Sequence, residues 1–181
     1  MEQQRINTFL KLQGQTSPFP YLIDVARAEG IYIWDKSGKR YMDMIAGVAV
    51  NNIGHNHPEV IAAIKKQLDQ HLHVMVYGEY IQDAQLALAE NLASVLPASL
   101  SCSYIENSGT EANEAAVKLA KRYTRRQHVV ACEGAYHGST HGSLSFTNNE
   151  LKKAAFQPLL PQVDFIKWNN IKSLEVITNN T

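Results

Sequence analysis

One stretch of the chain combines a glycine with two hydroxyl side chains where a predicted strand is followed by a predicted helix. Ser108, Gly109 and Thr110 stand there, before an alanine-rich segment. The first backbone N–H groups of a helix lack partners within the helix, and the helix dipole makes them electropositive. Gly109 leaves room for an anion, so the stretch predicts a phosphate site. The alternative is an ordinary N-cap, because Ser or Thr beside Gly begins many helices.

A second stretch, residues 133–142, follows the next predicted strand and carries an aromatic ring between glycines. The carboxyl ends of parallel strands meet at one edge of a sheet, where ligands bind, so we expect both stretches at that edge. Tyr136 would stack on a flat heteroaromatic ring, and His137 would orient a ligand group or donate to it. The alternative is a surface loop with a half-buried tyrosine and a solvated histidine.

The elements that must position these residues are predicted from apolar periodicity and turn signals. Aromatic and β-branched residues around a glycine-containing turn predict a β-hairpin at 31–34 and 40–44. Apolar residues at helical spacing predict helices at 58–71, 83–96 (with Asp83 as N-cap), 111–126 and, in part, 171–177. Short apolar runs predict strands at 101–106, 128–132 and 163–168. Residues 1–20 are predicted as a polar lead-in and 46–57 as a loop. The strand–helix–strand order is typical of a parallel β-α-β unit in an α/β fold.

Composition excludes several classes of protein. Lys+Arg and Asp+Glu both number 17, which argues against nucleic acid or an anionic membrane as the main partner. The polar N-terminal residues do not resemble a signal peptide, and no apolar run is long enough to span a bilayer, so we expect a cytoplasmic protein. Cys102 and Cys132 lack metal-ligand spacing and lie in apolar runs, which predicts two reduced core thiols and no metal site.

Five stretches, in order, resemble the class III aminotransferases of the acetylornithine and ornithine type, which depend on pyridoxal phosphate. They are residues 30–35, 38–43, 47–58, 108–116 and 136–138. The resemblance runs over roughly residues 20–181 and implies part of the fold-type I architecture of pyridoxal-phosphate enzymes. It implies that residues 1–57 are the N-terminal segment of a small domain, with the hairpin and a substrate-entrance loop. Residues 58–181 are then the first part of a large domain with a mostly parallel sheet.

The resemblance also implies roles for individual residues. Gly109 and Thr110 would bind the phosphate of pyridoxal 5′-phosphate through backbone N–H groups, with Ser108 in support. Tyr136 would stack on the pyridine ring, with His137 beside it. The implied substrate-binding residues are Val48, Asn51, Tyr77 and Ser139. At the position of Ser139 the acetylornithine-type members usually have an arginine for the substrate's α-carboxylate, and a hydroxyl does not replace a bidentate guanidinium. The identity of the amino donor therefore stays open.

The activity implied by the resemblance is transfer of an amino group from an amino acid or ω-amine to an oxo-acid, by a homodimer. The Schiff-base lysine and the aspartate that pairs with the pyridine nitrogen are expected beyond Thr181. No catalytic residue is therefore assigned within the chain, and the 181 residues alone are expected to be inactive. The alternatives are a non-catalytic truncated paralogue, an aminomutase, racemase or lyase of the same fold, or an unrelated phosphate-binding α/β domain.

Overall fold

The chain folds into two compact units in a computed structural model that describes residues 2–75 and 77–181. The units are Met1–Tyr80 and Ile81–Thr181. The predicted α/β class is confirmed, because helices accompany a three-stranded antiparallel sheet and a parallel pair of strands. The predicted division into 1–57 and 58–181 refers to the domains of a complete enzyme and stays a prediction.

The first unit is built around a three-stranded antiparallel sheet. Its elements are α1 (Glu2–Leu12), β1 (Val25–Glu29), β2 (Tyr32–Asp35), β3 (Arg40–Met42), the single turn α2 (Ala46–Ala49) and α3 (Pro58–Gln70). The sheet order is β1-β2-β3. The β2–β3 turn closes because one carboxylate oxygen of Asp35 accepts from the backbone N–H groups of Ser37 (2.9 Å) and Lys39 (3.0 Å). The predicted hairpin is thus confirmed.

The second unit contains a parallel strand pair and the only strongly buried segment among the described residues. Its elements are α4 (Asp83–Val95), α5 (Gly109–Thr124), β4 (Val129–Cys132), α6 (His141–Ser145), α7 (Glu150–Lys153), β5 (Val163–Ile166) and two 3₁₀ turns, Ala154–Phe156 and Ile171–Val176. Strands β4 and β5 pair in parallel with Val129 opposite Val163. Apolar burial centres on Ala131, Leu144 and Phe146. The helices predicted at 58–71, 83–96 and 111–126 and the strands at 128–132 and 163–168 are confirmed within a few residues.

Four details of the sequence-based prediction are wrong. The predicted strand at 101–106 is not a strand, because no described segment pairs with it and strand propensity does not supply a partner. Cys102 therefore lies exposed in an irregular stretch, whereas Cys132 is half-buried in β4. Asp83 is the first residue of α4 and Gln82 is its N-cap. The predicted lead-in contains α1, which is tied to the unit by the ion pair between Arg5 and Asp24 (2.5 Å).

None of the helices in the described parts of the chain has the length and apolar character needed to cross a bilayer.

Candidate functional site

The N-terminus of α5 is capped by Ser108, as its residue type predicts. Ser108 has an extended backbone, and its Oγ accepts from the backbone N–H of Glu111 at 3.3 Å. The same hydroxyl donates to the Glu111 carboxylate at 2.8 Å, which makes a variant of the capping box. This commits the Ser108 side chain to its own helix and puts a carboxylate in the first turn.

The next two backbone N–H groups of α5 remain available to a ligand. Those of Gly109 and Thr110 donate to no acceptor in the described parts of the chain. The space beside Gly109 is open, since a Cβ built there would have no atom within 4 Å. Two unpaired donors at the electropositive end of a helix, with open space beside them, fit a phosphate group. Glu111 interacts with the Ser108 hydroxyl and not with these two donors.

The aromatic turn, defined as residues 133–140, presents the predicted stacking ring at the surface. Tyr136 is 66% exposed, and its hydroxyl lies 3.0 Å from the Ser139 hydroxyl. The ammonium of Lys152 stands 5.3 Å from the centre of the Tyr136 ring. His137 is half-buried, and its backbone carbonyl accepts from the Asn113 amide at 2.8 Å. The turn therefore offers an aromatic face whose hydroxyl end is fixed.

The structure brings the N-terminus of α5 and the aromatic turn into direct contact. Gly138 is buried against Thr110, and a Cβ at Gly138 would lie 2.2 Å from Thr110 Oγ1. Thr110 Oγ1 is also 2.8 Å from Thr140 Oγ1. Any larger residue at 138 would push the aromatic turn away from the helix. The stretch predicted to bind a phosphate and the stretch predicted to stack on a ring are thus neighbours.

A carboxylate on α5 fastens the far end of the aromatic turn. Glu114 accepts a hydrogen bond from the Thr140 hydroxyl at 2.5 Å and another from the backbone N–H of Ser143 at 3.1 Å. The pKa of Glu114 is below the ordinary glutamate value, and the hydrogen bond from Thr140 is the largest cause. Partial burial raises the pKa, whereas the N–H groups of Ser143 and Gly142 lower it further. Glu114 is therefore ionised and bound at neutral pH.

Small residues at the start of α6 make this contact possible. A Cβ at Gly142 would lie 2.2 Å from a carboxylate oxygen of Glu114. Ser143 is fully buried, and its hydroxyl donates to the Thr110 carbonyl at 3.0 Å. The N-terminal half of α5 and the first turn of α6 thus form one hydrogen-bonded block behind the aromatic turn.

The four residues predicted to bind substrate are divided between the two units. Val48, in α2, is 84% exposed, and Tyr77 is also exposed. The Asn51 amide is half-buried and contacts His55 Nδ1 at 3.4 Å. These three belong to the first unit and Ser139 to the second. Each stays a predicted substrate contact. A cavity of about 810 Å³ borders Gly47 and Asn51 in the first unit.

Sequence reasoning singled out the residues that would face a ligand and missed those that hold them. Asn113, Glu114 and Thr140 were not predicted as site residues, although the first two stand one turn inside the phosphate motif. For Asn113 and Glu114, the position on the helix that follows a candidate anion site is the sequence feature that could have indicated a role. Within the described residues, no group of three or more His, Cys, Asp or Glu side chains is arranged to hold a metal ion.

Comparison with known proteins places the chain in a family. The sequence model of the family described as "Aminotransferase class-III" matches residues 14–180. The acetylornithine aminotransferase of Archaeoglobus fulgidus is 39% identical over 155 residues, which are 86% of this chain and 40% of that protein. The chain therefore spans about two fifths of the length of this curated relative.

Solved structures agree with the sequence match. The adenosylmethionine-8-amino-7-oxononanoate aminotransferase of Methanocaldococcus jannaschii superposes with a TM-score of 0.81 at 27% identity, over 92% of this chain and 41% of that one. An amine transaminase from an uncultivated Pseudomonas species, solved in its pyridoxal-phosphate-bound form, gives 0.74 at 27% identity, over 86% and 37%. With the sequence match over residues 14–180, these likenesses show that the chain belongs to the class III aminotransferase family.

Proposed function

We propose that the protein containing this chain is a pyridoxal-phosphate-dependent aminotransferase, which moves an amino group from an amino acid or ω-amine to an oxo-acid. The observation that carries the proposal is the contact of Gly138 with Thr110, which joins the aromatic turn to the N-terminus of α5. The turn bears the exposed Tyr136, and at that helix end the N–H groups of Gly109 and Thr110 donate to no acceptor among the described residues. A phosphorylated pyridine needs both features at once. Family membership supports the same assignment.

Each side chain at this site has a defined task in the proposal. The N–H groups of Gly109 and Thr110 bind the phosphate, and the Ser108 cap keeps the first turn of α5 in place. Tyr136 would stack on the pyridine ring, and His137 would orient a group of the cofactor or donate to it. When bound, pyridoxal phosphate supplies the electron-withdrawing ring on which amino transfer depends. This part of the chain thus binds and orients the cofactor and excludes water from one face of its ring.

The substrate contacts follow from the same assignment. Val48, Asn51 and Tyr77 would line the substrate entrance, and Ser139 would face the substrate beside Tyr136. Ser139 carries no charge, so its side chain offers a carboxylate one hydrogen bond at most. The three relatives named above act on chemically different amines, and the donor used by this protein is therefore best found by a screen of amino donors with one oxo-acid.

We further propose that the full-length protein is a cytoplasmic homodimer. The free thiols of Cys102 and Cys132 support a reducing compartment. Exposed apolar side chains in the first unit, including Met44, Val48 and Tyr77, support burial against another polypeptide surface. Sedimentation of the holoenzyme tests the dimer.

The phosphate site can be tested by introducing one negative charge at the N-terminus of α5. Gly109→Asp in the full-length protein puts an anion where the phosphate would bind, and we expect the affinity for pyridoxal phosphate to fall roughly tenfold or more. This affinity is measured by titrating the protein with pyridoxal phosphate and following absorbance, with inorganic phosphate as a competitor. Gly14→Asp is the matched control, since Gly14 also has open space around it. Equal affinity in both variants would falsify the assigned anchor.

A further inference from the structure

The turn α2 has a backbone that proteins rarely build. Ala46, Gly47, Val48 and Ala49 have φ angles of 48°, 60°, 60° and 64°, so four successive residues are left-handed. Glycine adopts this conformation readily, but for the other three the Cβ crowds the backbone. Val48 is the most costly of the four, because it is β-branched. The sequence predicted a loop here and gave no sign of this geometry.

Asp43 holds the start of this left-handed turn. One of its carboxylate oxygens accepts from the backbone N–H groups of Ile45 (3.0 Å) and Ala46 (2.9 Å). The other lies 2.7 Å from Nε2 of His55. The Asp43 side chain is 8% exposed and that of His55 is 18% exposed, so water competes little for these bonds. The carboxylate thus joins the turn to the imidazole.

His55 anchors the assembly to the sheet and to the end of the turn. Its backbone exchanges two hydrogen bonds with Gly30, at 2.7 Å and 3.0 Å. With Nε2 donating to Asp43, Nδ1 is free to accept from the Asn51 amide at 3.4 Å. Asn51 in turn donates its backbone N–H to the Ala46 carbonyl at 2.9 Å. The left-handed turn is therefore fixed at both ends through one Asp–His pair.

Burial within this unit does not offset the strain. Val48 is 84% exposed and Val50 is 75% exposed, so the turn presents apolar side chains outward. A conformation this unfavourable persists only where the surroundings impose it, and such residues concentrate at functional sites. The strained turn also carries one of the predicted substrate contacts, Val48, and a second, Asn51, follows two residues after its end.

We propose that Asp43 and His55 are positioning residues, which hold the left-handed turn so that Val48 meets the apolar part of the amino donor at a fixed place. The proposal rests on the proposed aminotransferase function and adds to it the device that sets preference for the donor's side chain. A rigid apolar side chain at the entrance discriminates between donors by their carbon chains, whereas a mobile loop does not.

A matched pair of alanine variants in the full-length protein tests the role of Asp43. Asp35 resembles Asp43, since its carboxylate also accepts from two backbone N–H groups, those of Ser37 and Lys39. It also accepts from the side-chain hydroxyls of Ser37 and Tyr41. We expect Asp43→Ala and Asp35→Ala to lower the melting temperature alike. Only Asp43→Ala should raise KM for the donor, with a smaller change in kcat, and speed amide hydrogen exchange in residues 45–52 roughly tenfold.

Val48→Gly separates positioning from stability. Glycine relieves the left-handed strain, so the variant should melt no lower than the wild type while its KM for the donor rises roughly tenfold. Equal donor KM in the wild type, Asp43→Ala and Val48→Gly, or unchanged exchange in residues 45–52 of Asp43→Ala, overturns the positioning role alone. Absence of any amino transfer by the wild-type holoenzyme overturns the proposed function itself.

Discussion

Residue types indicate candidate ligand-binding positions in the second unit, but not the residues that hold them in place. Ser108, Gly109 and Tyr136 are recognisable because an N-cap, a bare backbone and an aromatic ring each have a local chemical meaning. Glu114 has no such local meaning. Its partners Thr140 and Ser143 are 26 and 29 residues away in the chain, so only the folded structure shows what it binds.

Glu114→Gln tests this hidden contact. The amide keeps one acceptor but loses the charge, and a hydrogen bond to a charged group contributes about 1.5–3 kcal/mol when both partners are well ordered. Because Glu114 is only partly buried, we expect a loss below that range, about 1 kcal/mol in the free energy of unfolding. Thermal unfolding at neutral pH measures it. Glu90→Gln on α4, where the side chain is exposed, is the control and should change little.

The pH dependence of the same variant has a definite sign. The Glu114 pKa is lowered in the folded state, so its contribution is fully present above the ordinary glutamate value of 4.5. That contribution disappears as the pH falls through the still lower folded-state pKa. Wild type and Glu114→Gln should therefore differ in melting temperature at neutral pH and converge in acid. A difference that persisted in strong acid would contradict the assigned contact.

Among the elements, sequence signals predict the helix ends, because residues near each end determine where a helix begins and stops. The helix at Pro58–Gln70 has proline in its first turn, and the one at Asp83–Val95 ends before Pro97. The segment at 101–106 has strand propensity, but a strand also needs a pairing partner, which propensity does not reveal. Helix α1 was overlooked, although Ile6, Phe9 and Leu10 follow helical spacing within its polar sequence.

The C-terminus of α5 offers a prediction about an element as a whole. Its C-cap, Arg125, is left-handed with a φ of 63°, and its backbone N–H donates to the Lys121 carbonyl. Glycine is the usual residue in this conformation, because it has no Cβ to crowd the backbone. Arg125→Gly should raise the free energy of unfolding by about 1 kcal/mol, measured as a higher melting temperature.

The control for this prediction lies one turn earlier in the same helix. Arg122 is exposed inside α5, where glycine is unfavourable by about 1 kcal/mol. Arg122→Gly should therefore lower the melting temperature while removing the same charge as Arg125→Gly. If both variants shift the melting temperature in the same direction, the effect of Arg125→Gly comes from the lost charge and not from the backbone conformation.

The 181-residue chain as a whole exposes more surface than its mass predicts. Its accessible area is 14885 Å² for 20.2 kDa. Two separate globular domains of half that mass would together expose about 10,600 Å² by the usual scaling. The excess is roughly 4,000 Å², and much of it is apolar, since Leu151 is 98% exposed and Ile81 is 89% exposed. The sequence did not reveal this, because its 45% of hydrophobic residues is ordinary for a packed domain.

This exposed apolar area predicts how the 181-residue chain behaves in solution. Apolar surface on this scale drives association, so the purified chain should bind a hydrophobic dye and sediment as a concentration-dependent mixture of oligomers. The zero net charge adds little repulsion to oppose it. A double variant, Ile81→Lys with Leu151→Lys, should reduce both dye binding and association while leaving the helical circular dichroism unchanged. A dye-free 20.2 kDa monomer at every concentration would show that the apolar side chains are covered within the chain itself.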